Sequence, residues 1–318
     1  MTTQAASAMP GWLAKLPRQD GFVCISDARR FAHDEAKYDE QYASDPGNMK
    51  VGQGLVALLR QVEADTSAPA LEIGCGTGLL SLGLAAESPY PLTILTDPSP
   101  VFLRITGQKI AKAGIADDRI CLAVLQGEEI DRLPAGSLSL IVLRSTLHHI
   151  LHVDRFIADA SRALRPGGVL SFEEPCLEGY LLMGAMTQFL PTAAKAAGKP
   201  LTAAQEQTVD LFVRSMSFYS RRDLDKSTAE DKHLFRVDEI IKSGERSGLI
   251  VEFHPNQAYE AFAEPGADRT PRAISYLGFL RAYVKYCMSW DDAMMAAFDE
   301  FMPRHCKVIE DASQGSWG

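Results

Sequence analysis

The sequence lacks closely spaced cysteines. Its six cysteines lie far apart and form no C-x-x-C pair. Zinc sites and disulfide frameworks both need cysteines at short, defined spacings, so neither is predicted. The sequence also lacks an apolar run of about 18 residues and an amino-terminal leader with a charged and then an apolar part. We therefore expect reduced thiols and a cytoplasmic protein that does not enter a membrane.

An excess of positive charge is missing too. The chain has 32 Lys and Arg against 41 Asp and Glu, which gives a formal net charge of −9, and no basic cluster. Affinity for nucleic acid depends on neutralising phosphates, so no nucleic-acid partner is expected, and anionic membrane surfaces are disfavoured for the same reason. An apolar content of 46% over 318 residues is instead typical of a globular protein with a sizeable core.

Short apolar runs alternate with helical segments in the first half of the chain. Strands are predicted near 69–73, 92–96, 120–125, 138–143 and 168–173, and helices near 78–87, 100–113 and 154–164. Apolar strands of this kind are typical of a sheet that is covered on both faces. Their alternation with helices predicts right-handed crossovers. The predicted fold class is therefore α/β, with a Rossmann-like, doubly wound, mostly parallel sheet formed by residues 51–175.

The pattern changes after this core. Residues 176–230 have no strand pattern but many Leu, Met and Phe residues, which predicts an inserted helical cap over a substrate pocket, although such residues also fit a simple core. Residues 231–318 are expected to complete the core with a helix at 237–248 and a strand at Leu249–Phe253. A helical C-terminal extension follows, which either forms a homodimer surface or covers the core.

A glycine-rich turn joins the first predicted strand to the helix that follows it. Residues 71–78 read LEIGCGTG, so Gly74, Gly76 and Gly78 alternate with other residues and Glu72 precedes them. Dinucleotide sites use G-x-G-x-x-G and hold a pyrophosphate at the helix N-terminus. A carboxylate at position 72 would repel a pyrophosphate but suits an ammonium group. S-adenosylmethionine (SAM) has an ammonium, a ribose and an adenine but no phosphate. A tight turn without a ligand is the alternative.

An acidic residue ends the second predicted strand. Asp97 closes the run LTILTD and lies 19 residues after Gly78, which is room for one helix and a turn. Cofactor-binding α/β folds place a carboxylate there to accept hydrogen bonds from ribose hydroxyls. The alternative is a helix N-cap before Pro98-Ser99-Pro100.

With these motifs, the chain resembles the class I SAM-dependent methyltransferases that act on small molecules. The resemblance covers about residues 68–175 and, more weakly, 230–255. The further runs that carry it are DPSPVFL at 97–103, GEEI at 127–130, LSLIVLRSTLHHI at 138–150 and LRPGGVL at 164–170. Ser139 departs from the pattern, because the family often has an acid in the opening of that strand.

The resemblance implies SAM as the cofactor and a set of residues that bind it. Glu128 takes the position of an acid that bonds the adenine amine. Arg144 is included in the set, and binding of a substrate carboxylate or exposure to solvent are its alternatives. The implied cofactor-binding residues are Glu72, Gly74, Cys75, Gly76, Gly78, Asp97, Pro98, Glu128 and Arg144.

An amino-terminal segment covers the cofactor in similar methyltransferases, and residues 1–50 are expected to do so here. Within them, Phe31, Tyr38 and Tyr42 lie at partial helical spacing, which predicts an amphipathic helix. A helix that simply packs on the sheet is the alternative.

Methyl transfer from SAM is an in-line displacement, which needs alignment, exclusion of water and sometimes a base. His148 and His149 follow the fourth predicted strand, at the sheet edge where ligands bind, and an imidazole accepts protons near neutral pH. Glu173 and Glu174 end the fifth strand on opposite faces, and one is expected to orient a substrate hydroxyl or ammonium. The predicted catalytic residues are His148, His149 and Glu173; structural histidines and solvated acids are the alternatives.

The predicted function is transfer of a methyl group from SAM to an oxygen or nitrogen of a small organic molecule. No set of acids for a catechol-type metal site is present, so no metal is expected. The Asn-Pro-Pro-aromatic sequence of enzymes that methylate exocyclic amines is absent after the fourth strand. The alternatives are C-methylation of the quinone or sterol type, and a non-catalytic regulatory protein that binds SAM or S-adenosylhomocysteine (SAH).

Overall fold

The computed structural model describes residues 9–29, 35–42, 48–116, 118–254 and 276–314. The chain divides into two compact units. The first unit contains Met1–Glu174 and Asp238–Val251, and the second contains Pro175–Val237 and Glu252–Gly318. Within the described ranges, no helix combines the length and the apolarity that crossing a bilayer requires.

A seven-stranded sheet forms the centre of the first unit. Its strands are β1 (Arg18–Gln19), β2 (Phe22–Cys24), β3 (Ala70–Ile73), β4 (Thr93–Asp97), β5 (Ile120–Val124), β6 (Leu138–Arg144) and β7 (Leu164–Glu173). Their order is β1-β2-β5-β4-β3-β6-β7, and every neighbouring pair is parallel except β1 and β2. The predicted α/β class and mostly parallel sheet are therefore confirmed, and the five predicted strands of the core correspond to β3 to β7.

The strand order reverses between β3 and β6. From β3 the chain proceeds outward through β4 and β5, then returns to the other side of β3 with β6 and β7. All residues of β3 and β4 are buried, which explains why these strands have no polar alternation. In open sheets of this kind, ligands bind in the crevice at the carboxyl ends of the strands where the order reverses. The loops after β3 and β6 meet at that point.

Helices cover the sheet of the first unit. They are α1 (Gly11–Ala14), α2 (Glu35–Tyr42), α3 (Asn48–Gln61), α4 (Ser81–Glu87), α5 (Pro100–Lys112), α6 (Val153–Ala163) and α10 (Val237–Arg246). Short 3₁₀ turns lie at Gly127–Arg132 and Leu147–His149. Helix α5 begins with Pro100 in its first turn, and its N-cap Ser99 accepts a hydrogen bond from the Phe102 N–H. The cap role that was the alternative for Asp97 therefore belongs to Ser99.

Helix α2 contacts the elements around the glycine-rich turn. The ring of Tyr38 lies 5.1 Å from the ring of Phe102 in α5, and Asp39 forms an ion pair with Lys109 of the same helix. Part of the predicted amphipathic segment is therefore helical; its Phe31 lies outside the described residues.

Two features of the first unit differ from the sequence prediction. The short antiparallel pair β1 and β2 was not predicted, and β2 extends the parallel sheet beside β5. The predicted strand at Leu249–Phe253 is wrong, because the chain there is irregular. Helix α10 ends at Arg246, and the turn after it contains Gly248, which has a φ of +78°. In this turn the Leu249 N–H bonds back to the Gly244 carbonyl. This turn points the chain away from strand pairing, and the Ile250 side chain is 93% exposed.

The second unit is helical in the described residues. Its helices are α7 (Leu177–Thr187), α8 (Phe189–Ala196), α9 (Ala203–Ser220), α11 (Tyr276–Ala282), α12 (Asp292–Phe301) and α13 (Pro303–Gln314), with a π-helical turn at Tyr283–Cys287. This confirms the inserted helical segment and the helical C-terminal extension. The methionines and Phe212 that the sequence left open between core and pocket are core residues of this unit: Met183, Met186, Phe212 and Met216 are all buried.

Candidate cofactor and catalytic site

The glycine-rich turn leaves β3 and enters α4 through three left-handed residues. The φ angles of Gly74, Gly76 and Gly78 are +72°, +51° and +101°, a region that other residues rarely adopt. Packing also restricts the two outer positions. A Cβ on Gly74 would lie 2.4 Å from side-chain atoms of Thr146, and one on Gly78 would lie 2.8 Å from Leu82.

The middle glycine has a different environment. A Cβ on Gly76 would meet only Tyr38 within 4 Å among the described residues, at 3.9 Å. The Thr106 hydroxyl donates to the Gly76 carbonyl at 2.9 Å, and the Gly76 N–H donates to Asp97. The backbone of Gly76 is thus held on both sides, while its Cα faces space beside an aromatic ring. This position allows the close backbone approach that the glycine motif predicts for a nucleoside-like ligand.

Glu72 is a buried acid with an unsatisfied oxygen. Its residue exposure is 2%, and its Oε2 has no hydrogen-bond partner among the described residues. Burial raises the pKa of Glu72 to about 8; the nearby Ser81 hydroxyl lowers it, and the charge of Asp97 raises it further. The Thr77 hydroxyl is also buried without a partner in the described chain. Unsatisfied buried polar groups are rare and costly, so this cluster fits a ligand that brings a cation and hydrogen-bond donors.

Asp97 organises the loop beside that cluster. Its Oδ2 accepts the Gly76 N–H at 3.0 Å, and its Oδ1 accepts the Ser99 N–H at 2.8 Å. Burial raises the pKa of Asp97 to about 6, while the Ser99 and Gly76 N–H donors lower it. Each carboxylate oxygen can accept more than one hydrogen bond, so Asp97 keeps capacity for the hydroxyls of a ribose.

The other predicted cofactor residues surround these groups at the same edge of the sheet. The Cys75 thiol is buried, and burial raises its pKa. The Pro98 carbonyl accepts the Arg29 N–H at 2.8 Å. Glu128 is exposed in the first turn of the 3₁₀ segment that follows β5. All three follow the carboxyl ends of β3, β4 and β5, where a parallel sheet collects its ligand contacts.

The histidine pair lies in the turn after β6. This turn begins with Ser145, a non-glycine residue with a φ of +49°, a strained conformation that is common near functional sites. His148 is buried with 7% exposure, whereas His149 is half-buried, and their ring centroids lie 4.0 Å apart. The Nδ1 of His148 lies 2.5 Å from Oε2 of Glu174.

The two acids at the end of β7, Glu173 and Glu174, make different contacts. Glu173 forms a two-point ion pair with Arg144, with Nε–Oε2 and Nη2–Oε1 distances of 3.0 Å each. Glu174 instead contacts the histidine turn. The structure thus brings His148 together with Glu174 rather than with Glu173. The cofactor role of Arg144 and the catalytic roles of Glu173, His148 and His149 stay predictions.

Two residues of the site were missed at the sequence level. Thr146 fills the space beside Gly74, and Glu174, the neighbour of the predicted Glu173, contacts His148. Strand alternation shows that adjacent acids face opposite sides, but it does not show which side carries the histidine turn. The parallel register of β6 and β7, with Arg144 opposite Glu173, decides this.

Comparisons with known proteins agree with this geometry. Residues 71–170 match a family model described as a methyltransferase domain. A malonyl-[acyl-carrier protein] O-methyltransferase of Haemophilus ducreyi is 30% identical over 46% of this chain and 54% of its own length. A thiol S-methyltransferase of Homo sapiens is 30% identical over 46% of this chain and 60% of its own. The chain therefore spans little more than half the length of these relatives.

Among solved structures, phosphoethanolamine N-methyltransferase 2 of Haemonchus contortus aligns with 89% of this chain and 56% of its own. For this chain and that structure, the TM-score is 0.47 and the sequence identity is 16%.

Proposed function

We propose that this chain, whose residues 71–170 match a methyltransferase-domain model, is a class I SAM-dependent methyltransferase that transfers the methyl group of SAM to an oxygen or nitrogen of a small organic molecule. The cofactor is SAM. The observation that carries the proposal is the unsatisfied Oε2 of the buried Glu72, which lies beside a glycine turn held by Asp97. A ligand with an ammonium group and a ribose satisfies both acids, because the ammonium favours the ionised form of Glu72 and the ribose hydroxyls donate to Asp97.

Each of these residues is proposed to bind a different chemical group of the cofactor. Glu72 pairs with the ammonium of SAM, and Asp97 accepts the ribose hydroxyls. The open face of Gly76 admits the ligand to the backbone beside Tyr38. Glu128 lies in the first turn of the 3₁₀ segment after β5 and accepts a hydrogen bond from the adenine amine. Helix α2, which presents Tyr38, covers the cofactor, and the ion pair of Asp39 with Lys109 anchors this helix.

SAM supplies a methyl group that is already activated by a positively charged sulfur. The protein therefore has to align the acceptor, exclude water and, where the acceptor carries a proton, remove it. Alignment can contribute about 7–11 kcal/mol of barrier reduction by itself. His148 is our candidate for the proton acceptor because it is buried in the turn at the strand-order reversal. His149 and Glu173 are the alternatives from the sequence.

The acceptor class is proposed from general chemistry and the relatives. The similar proteins are named as O-methyltransferases and thiol S-methyltransferases. A small-molecule acceptor with a hydroxyl or amine is our proposal, and thiols belong in any screen. C-methylation and non-catalytic binding of SAM or SAH are the competing functions. A cytoplasmic location and a homodimer stay predictions.

The test is methyl transfer with isotopically labelled SAM. The purified protein is incubated with labelled SAM and a panel of phenols, alcohols, carboxylates, amines and thiols, and the products are identified by mass spectrometry. We expect label in one acceptor class and equimolar SAH. An Asp97→Ala variant should lose the product, and reactions without protein serve as the blank. SAH binding without transfer to any acceptor would favour the regulatory alternative and reject the enzymatic proposal.

A further inference from the structure

We propose that the helical unit binds an uncharged oxygen group, a hydroxyl or a carbonyl, of the methyl acceptor through the hydroxyl of Tyr180, and that Asp231 disfavours anionic acceptors there. Tyr180, Tyr219 and Tyr283 form what we call the tyrosine cluster of this unit. The inference rests on the proposed function, because it specifies the acceptor of the proposed methyl transfer.

Tyr180 and Tyr283 share one hydrogen bond. The Tyr283 hydroxyl donates to the Tyr180 hydroxyl at 3.0 Å, and the two rings meet edge to face with their centroids 5.8 Å apart. Two phenols carry two protons, and the bond between them uses one. The proton of Tyr180 has no acceptor among the described residues, although Tyr180 is only 9% exposed. Buried polar groups normally have partners, so a ligand atom with a lone pair fits this position.

Tyr219 and Asp231 lie near the same hydroxyl. Burial raises the pKa of Tyr180 to about 12, the bond with Tyr283 lowers it, and the charges of Asp231 and of an ionised Tyr219 raise it further. Burial, and after it the charge of Asp231, also raises the pKa of Tyr219. Side chains from α7, from α9 and from the segment that follows α9 therefore converge on one place in this unit.

The charge at this place is negative. Beyond the effect of burial, Asp231 raises the pKa of Tyr283 as well, and Glu230 raises that of Tyr219. This effect acts through charge and does not require that either acid lacks other partners. A carboxylate or phosphate of a ligand would be repelled here, because charges near a protein interior are screened little. An ammonium has no lone pair to accept the Tyr180 proton. An uncharged oxygen meets both conditions.

The surroundings of Tyr283 indicate the rest of the ligand. Tyr283 begins the π-helical turn Tyr283–Cys287, and such turns occur frequently at functional sites. The rings of Phe212 and Phe279 each lie 6.2 Å from the Tyr283 ring, so the hydroxyl pair is set among aromatic side chains. Small-molecule sites of this kind combine apolar walls with a few placed polar groups. The inferred acceptor is therefore a largely apolar molecule with a hydroxyl or carbonyl and no anionic group.

The first test compares two probes of nearly the same shape, the uncharged 4-hydroxybenzamide and the anionic 4-hydroxybenzoate. Each is titrated into full-length protein saturated with SAH, and binding is followed by NMR. We expect the wild type to bind the amide at least about tenfold more tightly than the benzoate. Tyr180→Phe should weaken binding of the amide by about 3–10-fold, because it removes one hydrogen bond. Tyr276→Phe is the matched control, since its hydroxyl is buried in the same unit without a partner among the described residues, and it should bind as the wild type does.

Three results of this titration would overturn the inference. They are equal affinity for the two probes, a loss in Tyr276→Phe as large as that in Tyr180→Phe, and no binding of the amide to the wild type at about 10 mM.

The second test changes the charge and leaves the tyrosines intact, so it also serves if Tyr180→Phe loses the folded circular-dichroism signal. Asp231→Asn should bring the affinities for the two probes within about threefold of each other. An unchanged preference for the amide would contradict the role of Asp231. Failure of the wild type to bind SAH would reject the proposed function itself, whereas SAH binding without binding of the amide rejects only the role of the tyrosine cluster.

Discussion

Glu72 is an acid that lies almost completely buried, with 2% exposure. Burial opposes ionisation and raises the pKa of Glu72 from the usual 4.5 to about 8. Between those two values, the ligand-free folded protein keeps a proton that the unfolded chain releases. Stability from this group is therefore fully present below pH 4.5 and is lost as the pH rises toward 8.

We predict that ligand-free protein loses about 2–3 kcal/mol of unfolding free energy between pH 6 and pH 8 through Glu72. Asp97, whose pKa is about 6, contributes mostly below this window. Glu72→Gln removes the titration and should flatten the dependence. Urea denaturation at pH 6, 7 and 8 measures it. If the free energy of unfolding changed with pH equally in wild type and variant, burial would not hold Glu72 neutral.

At the scale of single residues, the sequence predicts which residues form the candidate site better than it predicts which side chains they contact. Glu72, Asp97 and the glycines were predicted from spacing, because a strand end and a turn fix their place along the chain. The partner of His148 depends on which side of β7 the turn after β6 lies, and on the contact between Thr146 and Gly74. These are tertiary facts without a local signal.

At the scale of elements, a close helix crossing supports the glycine turn. Helices α3 and α4 approach at Gly52 and Gly83. A Cβ on Gly52 would lie 2.2 Å from the Leu84 nitrogen, and one on Gly83 would lie 2.1 Å from the Met49 carbonyl oxygen. Both obstacles are backbone atoms, which cannot move aside as a flexible side chain does.

Gly52→Ala should therefore destabilise the protein by about 1–3 kcal/mol, despite the better helix propensity of alanine. The matched control is Gly54→Ala in the same helix, where a Cβ meets no described atom within 4 Å. That change should be neutral or stabilise by up to about 1 kcal/mol. Thermal unfolding of both variants measures the difference. Equal melting temperatures would contradict the claim that the close approach of α3 and α4 requires glycine at position 52.

The start of β6 explains the serine that departs from the family pattern. Ser139 is fully buried; its hydroxyl donates to Asp65 at 2.5 Å and accepts the Ala68 N–H at 2.9 Å. The acid at the start of this strand is thus Asp65, which comes from another segment. These two bonds connect the segment that precedes β3 with strand β6.

Ser139→Ala should cost about 1–3 kcal/mol, because it leaves buried polar groups without a partner. Ser137→Ala removes a more exposed hydroxyl, which donates to the Pro134 carbonyl, and should cost about 0.5 kcal/mol. Chemical denaturation compares the two. A Ser137→Ala loss as large as that of Ser139→Ala would contradict the account.

The central strands were predictable and the edges were not. Strands β3 to β6 are short apolar runs between helices, and their identity follows from sequence alone. The pair β1 and β2 has two and three residues, too few for a clear pattern, and is defined by its pairing with β5. Leu249–Phe253 has a strand-like composition, but the turn at Gly248 denies it a partner.

At the scale of the whole molecule, the chain divides into an α/β unit, which contains the proposed cofactor site, and a helical unit with its own core. Phe298 is fully buried in the helical unit, and its ring lies 6.3 Å from that of Trp290. Phe298→Leu should lower the unfolding free energy by about 1–1.5 kcal/mol. SAH affinity should stay within about twofold, because the residues proposed for the cofactor lie in the first unit. A tenfold loss of affinity would show that the helical core supports the cofactor site.

The most direct test of the account is calorimetric titration of SAH into wild-type protein, Asp97→Ala and Ser139→Ala. Asp97 belongs to the proposed ribose site, whereas Ser139 lies at the opposite end of the sheet and controls for general loss of stability. We predict one-to-one binding to the wild type, affinity at least about tenfold weaker for Asp97→Ala, since a charge-assisted hydrogen bond contributes about 1.5–3 kcal/mol, and wild-type affinity for Ser139→Ala. Absence of binding to wild-type protein that mass spectrometry shows to be ligand-free would contradict the central claim.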